Sequence, residues 1–265
     1  MALELSRIRA VACDMDGVLW LGDEPLPGLQ AFFNLLHRRA LPYVLATNNS
    51  SKTPADYVAK LSHMGVNGVS DSNIITSGTA TLHVLAERYP PGTHINMVGG
   101  TGLRHLLEEA GYILVNQNAQ AVVVGLDAGL TYEKLKYATF CIRDGAEFIA
   151  TNDDNSIPTP DGFAPGAGSI VAALRASSER EPVVIGKPHL PMFQQALELM
   201  GTTPKQTLMI GDRLETDIIG AAQAGMKTAL LLTGVTDGER LKRGDAAPDA
   251  IFDDLAQLVA AWEAS

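Results

Sequence analysis

Two aspartates stand two positions apart near the start of the chain, directly after an apolar segment. Asp14 and Asp16 follow Ile8–Cys13, and Gly17 comes immediately after them. A carboxylate at the end of a buried strand can act as a nucleophile. A second carboxylate on the following turn can protonate a leaving group and then accept a proton from water. The pair therefore predicts covalent catalysis, with Asp14 as the nucleophile and Asp16 as the general acid and base.

Polar side chains also follow three later apolar segments. They are Thr47, Asn48 and Asn49 after Pro42–Ala46, Lys187 after Val183–Ile185, and Asp212 and Asp217 after Leu208–Ile210. Because the carboxyl ends of parallel strands meet at one edge of a sheet, we expect these side chains to converge with the two N-terminal aspartates. Thr47, Asn48 and Asn49 are candidates for binding phosphate oxygens. Lys187 is the candidate for holding both the nucleophile and a transferring phosphoryl group.

Two carboxylates in one site repel each other, so the predicted site needs a compensating charge. At about 4 Å and an effective dielectric constant near 20, the repulsion between Asp14 and Asp212 would cost roughly 4 kcal/mol. Either a cation or a raised pKa must offset it. A donor set made of a few carboxylate oxygens suits Mg²⁺, which keeps several waters and accepts a substrate phosphate as a further ligand.

Strand-like segments alternate with helical patterns along the chain, which predicts a mostly parallel α/β sheet. The predicted strands are Ile8–Cys13, Pro42–Ala46, Ile74–Thr76, His94–Val98, Ala121–Val124, Phe148–Ala150, Val183–Ile185, Thr207–Ile210 and Thr228–Leu232. The predicted helices are Pro27–Arg39, Pro54–Met64, Leu103–Glu109, Tyr132–Asp144, Ser169–Ala176, Pro191–Met200, Ile218–Ala224 and a last helix from Asp254.

Four segments resemble, in order along the chain, the four motifs of the haloacid dehalogenase superfamily. They are Asp14–Val18, Thr47–Asn49, Gly186–Pro188 and Gly211–Asp217. One Asp-x-Asp-Gly is a weak signal, whereas four motifs in order at predicted strand ends are a strong one. The resemblance implies an α/β fold with a Rossmann-like parallel-sheet core and Mg²⁺-dependent phosphatase chemistry. It also implies a set of metal ligands, namely Asp14, the backbone carbonyl of Asp16, and Asp212, with Asp217 as an indirect or supporting ligand.

The resemblance also places an inserted domain. The short link from Gly17 to Pro27 leaves no room for one, whereas the long stretch between Thr47 and Lys187 does, and its strand–helix pattern is α/β. We therefore predict a catalytic core of residues 1–78 and 179–265 and a C2-type cap domain of residues 79–178. Three cap segments are similar to the NagD-like branch (subfamily IIA), namely Val124–Leu135, Phe148–Asp154 and Pro165–Ser169. That branch includes p-nitrophenylphosphatases, 2-phosphoglycolate phosphatases and phosphatases of nucleotides or sugar phosphates.

Several of these residues also suit purely structural roles. Taken alone, Asp14 and Asp16 would fit a solvated turn, and Asn49 would fit a turn or a helix N-cap. Asp217 would fit the first turn of a helix, where the dipole favours an acid.

The candidate residues in the predicted cap and beside the first motif also suit either a functional or a structural role. Asn152 and Asp154 follow a predicted strand and would either contact substrate or hold their loop by Asx turns. Asp153, between them, departs from the family pattern by adding a charge. Trp20 would either line the entrance of the site or pack in the core.

Composition narrows the classes of partner and compartment. The chain has 265 residues, of which 46% are hydrophobic, and a net charge of −10. This charge disfavours nucleic acid and anionic membrane surfaces as partners. Two cysteines, Cys13 and Cys141, form no Cys-x-x-Cys, so neither a disulfide framework nor a cysteine zinc site is expected, and a reducing cytoplasm fits. We see no signal peptide and no apolar segment long enough to span a membrane.

These observations predict a cytoplasmic Mg²⁺-dependent phosphatase that acts on a small phosphorylated metabolite. The candidate substrates are a sugar phosphate, a nucleoside monophosphate, phosphoglycolate and p-nitrophenyl phosphate. A homodimer formed through the cap is a further expectation from the resemblance. One alternative is a dehalogenase, which Asp16 argues against because a halide leaves without a proton. The other is a non-catalytic regulator that binds sugars or nucleotides on the same fold.

Overall fold

A computed structural model describes residues 3–159, 162–234 and 247–265 of the chain. The strands are β1 (Ala10–Cys13), β2 (Trp20–Leu21), β3 (Glu24–Pro25), β4 (Tyr43–Thr47), β5 (Ile74–Thr76), β6 (His94–Val98), β7 (Ile113–Leu114), β8 (Ala121–Val124), β9 (Glu147–Ala150), β10 (Ser156–Thr159), β11 (Gly162–Pro165), β12 (Val183–Val184), β13 (Thr207–Gly211), β14 (Lys227–Leu231) and β15 (Ala250–Phe252). The helices are α1 (Leu29–Arg38), α2 (Pro54–His63), α3 (Ser77–Arg88), α4 (Thr101–Glu109), α5 (Tyr132–Arg143), α6 (Ala167–Ser178), α7 (Leu190–Met200), α8 (Ile219–Gln223) and α9 (Leu255–Glu263).

The chain divides into two compact units. The core unit comprises Met1–Thr47, Pro54–Ile75 and Lys187–Ser265, and the inserted unit comprises Asn48–Thr53 and Thr76–Gly186. The predicted boundaries at 78/79 and 178/179 are therefore misplaced, as residues 48–53, 76–78 and 179–186 lie in the inserted unit.

The core unit is built on a six-stranded sheet with the order β15-β14-β13-β1-β4-β5. The pairs of β1 with β13 and β4, and of β14 with β13 and β15, are parallel. All four residues of the central strand β1 are buried, as expected for a strand covered on both faces. The prediction of a parallel α/β fold is confirmed. The register pairs Cys13 with Ile210, so the residues that follow β1 and β13 emerge side by side.

The inserted unit contains a second parallel sheet, ordered β12-β9-β8-β6-β7, and the antiparallel pair β10–β11. The position of β12 corrects the sequence prediction, which placed Val183–Ile185 in the core sheet. Val183 pairs with Ile149 and Val184 with Ala150, both of them in β9. Two valines of an edge strand carry no information about which sheet they join. Lys187 therefore follows a strand of the inserted sheet, although it belongs to the core unit.

The small hairpin β2–β3, the helix α3 and the pair β10–β11 were not predicted. The hairpin pairs Trp20 with Pro25 and Leu21 with Glu24. Strands of two residues are too short to show a hydrophobic period. None of the helices in the described ranges is long and apolar enough to cross a bilayer. Cys13 and Cys141 are both buried and free.

Candidate active site

Asp14 lies at the centre of the polar group in the core unit. It follows β1 directly, and its backbone N–H donates to the carbonyl of Ile210 at 2.8 Å, which continues the pairing with β13. The side chain is buried. Burial raises the pKa of Asp14 well above its usual range, the charges of Asp217 and Asp212 raise it further, and the Lys187 ammonium opposes both. Asp14 therefore needs a nearby cation to remain ionised at this buried position.

Lys187 supplies one positive charge to this group. Its Nζ donates to Asp14 Oδ1 at 2.7 Å and lies 2.7 Å from Asp217 Oδ1. Only 2% of the residue is exposed. Burial by itself would lower the pKa of Lys187, but the charges of Asp14 and Asp217, with hydrogen bonds to both, raise it above its ordinary value. Lys187 therefore stays protonated and holds the predicted nucleophile in place.

Asp217 lies in a single π-helical turn, Leu214–Ile218, and is fully buried. Both carboxylate oxygens are engaged, since Oδ1 pairs with Lys187 and Oδ2 accepts the backbone N–H of Arg213 at 3.1 Å. These contacts make Asp217 a support for Lys187 and for the loop after β13. They favour the indirect role expected for it over direct contact with a metal.

Asp212 is enclosed by two glycines. It follows β13 and is 1% exposed. A Cβ on Gly17 would lie 2.6 Å from Asp212 Oδ2, and Gly17 has a φ of +89°, which disfavours any side chain. A Cβ on Gly234 would lie 1.9 Å from the same oxygen. Glycine at both positions allows two loops to close around this carboxylate.

The donor set fits a small divalent cation. Asp14, Asp212 and Asp217 are all buried and each offers an oxygen, and these oxygens lie within 4.8 Å of one another. With Lys187, the four ionised groups carry a net charge of two minus in a buried place, which costs free energy unless a cation compensates it. Oxygen-only donors of this kind suit Mg²⁺. Because Asp217 already pairs with Lys187 and accepts the Arg213 N–H, Asp14 and Asp212 remain the predicted direct ligands.

Asp16 is not a member of this buried carboxylate group. Its side chain is exposed, and its Oδ1 accepts a hydrogen bond of 2.7 Å from the indole Nε1 of Trp20. The carboxyl group of Asp16 is thus not among the clustered oxygens of the described residues. Its backbone carbonyl remains a predicted metal ligand. Trp20 is fully buried, so it packs in the core and does not line an entrance, and sequence reasoning missed its hydrogen bond.

Thr47 is buried and ends β4, the strand next to β1. It belongs to the core unit, as do the other predicted residues described above. Its predicted contact with phosphate oxygens follows from this position and remains a prediction.

The other candidates for substrate binding lie in the inserted unit, where three of them form hydrogen bonds with one another. The Asn48 amide donates to Asp154 Oδ2 at 3.1 Å, and the Asn152 amide donates to the Asn48 carbonyl at 2.8 Å. Asn49 Oδ1 accepts from the Ser51 backbone N–H at 2.8 Å, which is an Asx turn. These contacts favour structural roles, and the predicted contacts of these four residues with substrate remain predictions.

Comparison with known proteins shows which family the chain is similar to. Residues 11–113 match a family described as haloacid dehalogenase-like hydrolase, and residues 184–258 match a second family described as HAD-hydrolase-like. The chain is 36% identical over 260 residues to an acid sugar phosphatase of Staphylococcus aureus, a match that covers 98% of this chain and 100% of that protein.

The chain is also similar in sequence and fold to several solved structures. A 4-nitrophenylphosphatase from Thermotoga maritima is 38% identical with a TM-score of 0.91, covering 97% of this chain and 98% of that one. NagD from E. coli K-12 is 33% identical with a TM-score of 0.88, covering 94% and 98%. A glycerol phosphate phosphatase from Mycobacterium tuberculosis, solved in complex with magnesium, is 30% identical with a TM-score of 0.87, covering 96% and 77%.

Proposed function

The chain belongs to the haloacid dehalogenase superfamily, in its NagD-like branch of phosphatases, and we propose that it is a Mg²⁺-dependent phosphatase that works through an aspartyl-phosphate. The observation that carries this proposal is the buried group around Asp14. A carboxylate at a strand end is held by Lys187 at 2.7 Å, with two further buried carboxylates beside it. Phosphoryl transfer mainly needs a positioned nucleophile and neutralisation of negative charge. The group offers Asp14 as the nucleophile, the Lys187 ammonium as a cation, and carboxylates that can bind a metal ion.

In the proposed first step, a carboxylate oxygen of Asp14 attacks phosphorus in line with the leaving group. The bond from phosphorus to the ester oxygen breaks, and Asp16 gives its proton to that oxygen as the alcohol departs. The Lys187 ammonium lies beside Asp14 and offsets negative charge as it develops. When bound, Mg²⁺ held by Asp14 and Asp212 would supply further positive charge and a ligand position for a phosphate oxygen.

In the second step, Asp16 accepts a proton from a water molecule as that water attacks phosphorus. The bond between phosphorus and Asp14 breaks, which restores the Asp14 carboxylate and releases inorganic phosphate. Asp16 then carries the proton for the next cycle. Its exposed position allows it to reach a leaving group and a water, whereas Asp14 is buried beside the Lys187 ammonium.

We further propose that the substrates are small phosphomonoesters: sugar phosphates, nucleoside monophosphates, phosphoglycolate or p-nitrophenyl phosphate. The support is the names of the relatives, which are acid sugar phosphatase, 4-nitrophenylphosphatase and glycerol phosphate phosphatase. The net charge of −10 argues against nucleic acid and anionic membranes as partners. A homodimer through the inserted unit is part of the proposal, and sedimentation that finds only monomer at micromolar concentration would reject it.

The test is phosphate release from a panel of these esters, with and without Mg²⁺, by the wild type and Asp14→Asn. Metal-dependent turnover that the variant loses is the expected result. If the folded wild type binds Mg²⁺ but releases phosphate from no ester, the proposed catalysis is wrong, and a binding module for phosphorylated ligands becomes the better account.

A further inference from the structure

Trp20 and Asp16 form a hydrogen bond between a buried indole of the core unit and an exposed carboxylate. The indole Nε1–H donates to Asp16 Oδ1 at 2.7 Å. Trp20 is fully buried, whereas Asp16 is exposed. The backbone joins the same segment, because the N–H of Gly17 donates to the carbonyl of Trp20 at 2.8 Å. One oxygen of Asp16 is thus fixed by a side chain that cannot itself move into solvent.

The indole ring is held on its faces by two residues of α2. Tyr57 stacks on Trp20 with ring centroids 6.3 Å apart and an angle of 15° between the ring planes. The Nζ of Lys60 lies 4.5 Å from the centroid of the indole ring. The same Nζ donates to the carbonyl of Gly22 at 2.6 Å, so Lys60 also fastens the turn between β2 and β3. A cation over the ring is attracted to the π-face and makes the indole N–H a better donor.

A buried tryptophan needs a hydrogen-bond partner for its N–H, and a backbone carbonyl would satisfy that need. Here the partner is instead the carboxylate assigned as general acid and base. We propose that Trp20 is a positioning residue for Asp16, and that Tyr57 and Lys60 fix the indole in the orientation that does this. The inference rests on the proposed function, because it assumes that Asp16 transfers protons.

The geometry has a chemical consequence for the first step. Since Oδ1 of Asp16 accepts the indole N–H, Oδ2 is the oxygen that carries the proton and passes it to the ester oxygen as the bond to phosphorus breaks. An alkoxide is a poor leaving group and needs that proton, whereas p-nitrophenolate leaves readily without it. Loss of the indole N–H should therefore harm alkyl phosphates more than p-nitrophenyl phosphate.

The experiment compares Trp20→Phe with Trp262→Phe. Both replace a buried indole of the core unit by a phenyl ring, but Trp262 lies on α9, and among the described residues the indole that donates to Asp16 is that of Trp20. The readout is kcat/KM with Mg²⁺ for glycerol phosphate and for p-nitrophenyl phosphate, because kcat/KM covers the steps up to formation of the aspartyl-phosphate.

We expect Trp20→Phe to lower kcat/KM for glycerol phosphate by roughly 10-fold to 100-fold, a part of what general acid catalysis supplies. The loss for p-nitrophenyl phosphate should be several times smaller, and Trp262→Phe should leave the ratio of the two substrates unchanged. Equal losses on both substrates, or equal behaviour of the two variants, would overturn the inference. A wild type that hydrolyses neither ester would count against the proposed function instead.

A second arm decides the matter if Trp20→Phe does not fold. In Trp262→Phe, Trp20 is the single tryptophan, so fluorescence reports on its indole alone. Replacing Asp16 by Asn in that background should shift the emission, and Lys60→Met should change the substrate ratio in the same direction as Trp20→Phe, by a smaller factor. Unchanged emission together with an unchanged substrate ratio would contradict the positioning role.

Discussion

Two lysine–aspartate pairs have the same separation but differ in what surrounds them. In the core unit, Lys187 Nζ lies 2.7 Å from Asp14 Oδ1, and in the inserted unit Lys134 Nζ lies 2.7 Å from Asp127 Oδ2. Asp127 is matched by that one lysine, and its other oxygen accepts the backbone N–H of Gly129 at 2.9 Å. Lys187 instead contacts two carboxylates, those of Asp14 and Asp217.

The difference shows how an ion pair that stabilises a fold can be told from one that prepares a reaction. The pair in the inserted unit is balanced in charge, and its lysine is 37% exposed at the side chain. The group around Asp14 is buried and has more negative than positive charge. Excess buried charge is costly, so a fold that retains it holds a ligand or performs chemistry there.

The largest effect that separates the two regions should come from Asp14→Asn. The amide keeps the shape of the carboxylate but cannot attack phosphorus, so phosphatase activity should fall by at least about three orders of magnitude. Circular dichroism and the melting temperature should stay close to those of the wild type. Turnover within tenfold of the wild type would exclude Asp14 as the nucleophile.

Asp212→Asn should separate metal binding from folding. A ligand that binds only the folded state raises the unfolding free energy, by about 2.7 kcal/mol at one hundred times its dissociation constant. We expect Mg²⁺ to raise the melting temperature of the wild type and to leave that of the variant almost unchanged. Calorimetric melting with and without Mg²⁺ measures this, and equal shifts in both proteins would show that Asp212 is not a ligand.

Replacing each lysine by methionine compares the pairs directly. Lys187→Met leaves buried carboxylates facing one another, so it should destabilise the metal-free protein by about 3 to 5 kcal/mol and lower activity strongly. Lys134→Met removes a partly exposed charge, and its cost should be about 1 kcal/mol with activity retained. Denaturant unfolding in EDTA would reveal the difference, and similar costs for both variants would contradict the contrast drawn here.

The smallest effect should come from Asp127→Asn in the inserted unit. It weakens one ion pair and one hydrogen bond but removes neither completely, so we expect a loss of roughly 0.5 to 1 kcal/mol in unfolding free energy. The kcat and KM for p-nitrophenyl phosphate should stay within about twofold of the wild type. A large drop in kcat in a stably folded variant would mean that this pair also serves the reaction.

The sequence predicted the centre of the site because strand ends in a parallel sheet are neighbours by geometry. Asp14 and Asp212 follow strands that pair directly, so adjacency in the sheet became adjacency of carboxylates. Lys187 was predicted to contact Asp14, as it does, but from the wrong sheet, since two edge valines pair equally well with either. Lys187 could still be assigned to the site because Gly186 and Pro188, which flank it, belong to the third motif of the superfamily.

The contacts of Trp20, Asn48 and Asn152 could not be predicted in the same way. Trp20 sits in a hairpin of two-residue strands, which have no measurable period. The bond from Asn152 to the carbonyl of Asn48 joins residues more than one hundred positions apart, and nothing local in the sequence records it. Hydrophobic patterns predict elements and their ends, whereas pairing between polar side chains depends on packing that the patterns do not describe.

The central claim, that Asp14 becomes phosphorylated, can be tested by trapping the intermediate. The enzyme is mixed with excess p-nitrophenyl phosphate and Mg²⁺, the reaction is stopped with acid within one turnover, and the digested protein is analysed by mass spectrometry. We predict one phosphoryl group on the peptide that contains Asp14, absent in Asp14→Asn. Wild-type turnover with no phosphorylated peptide at any time point, or with the phosphoryl group on another residue, would contradict the account.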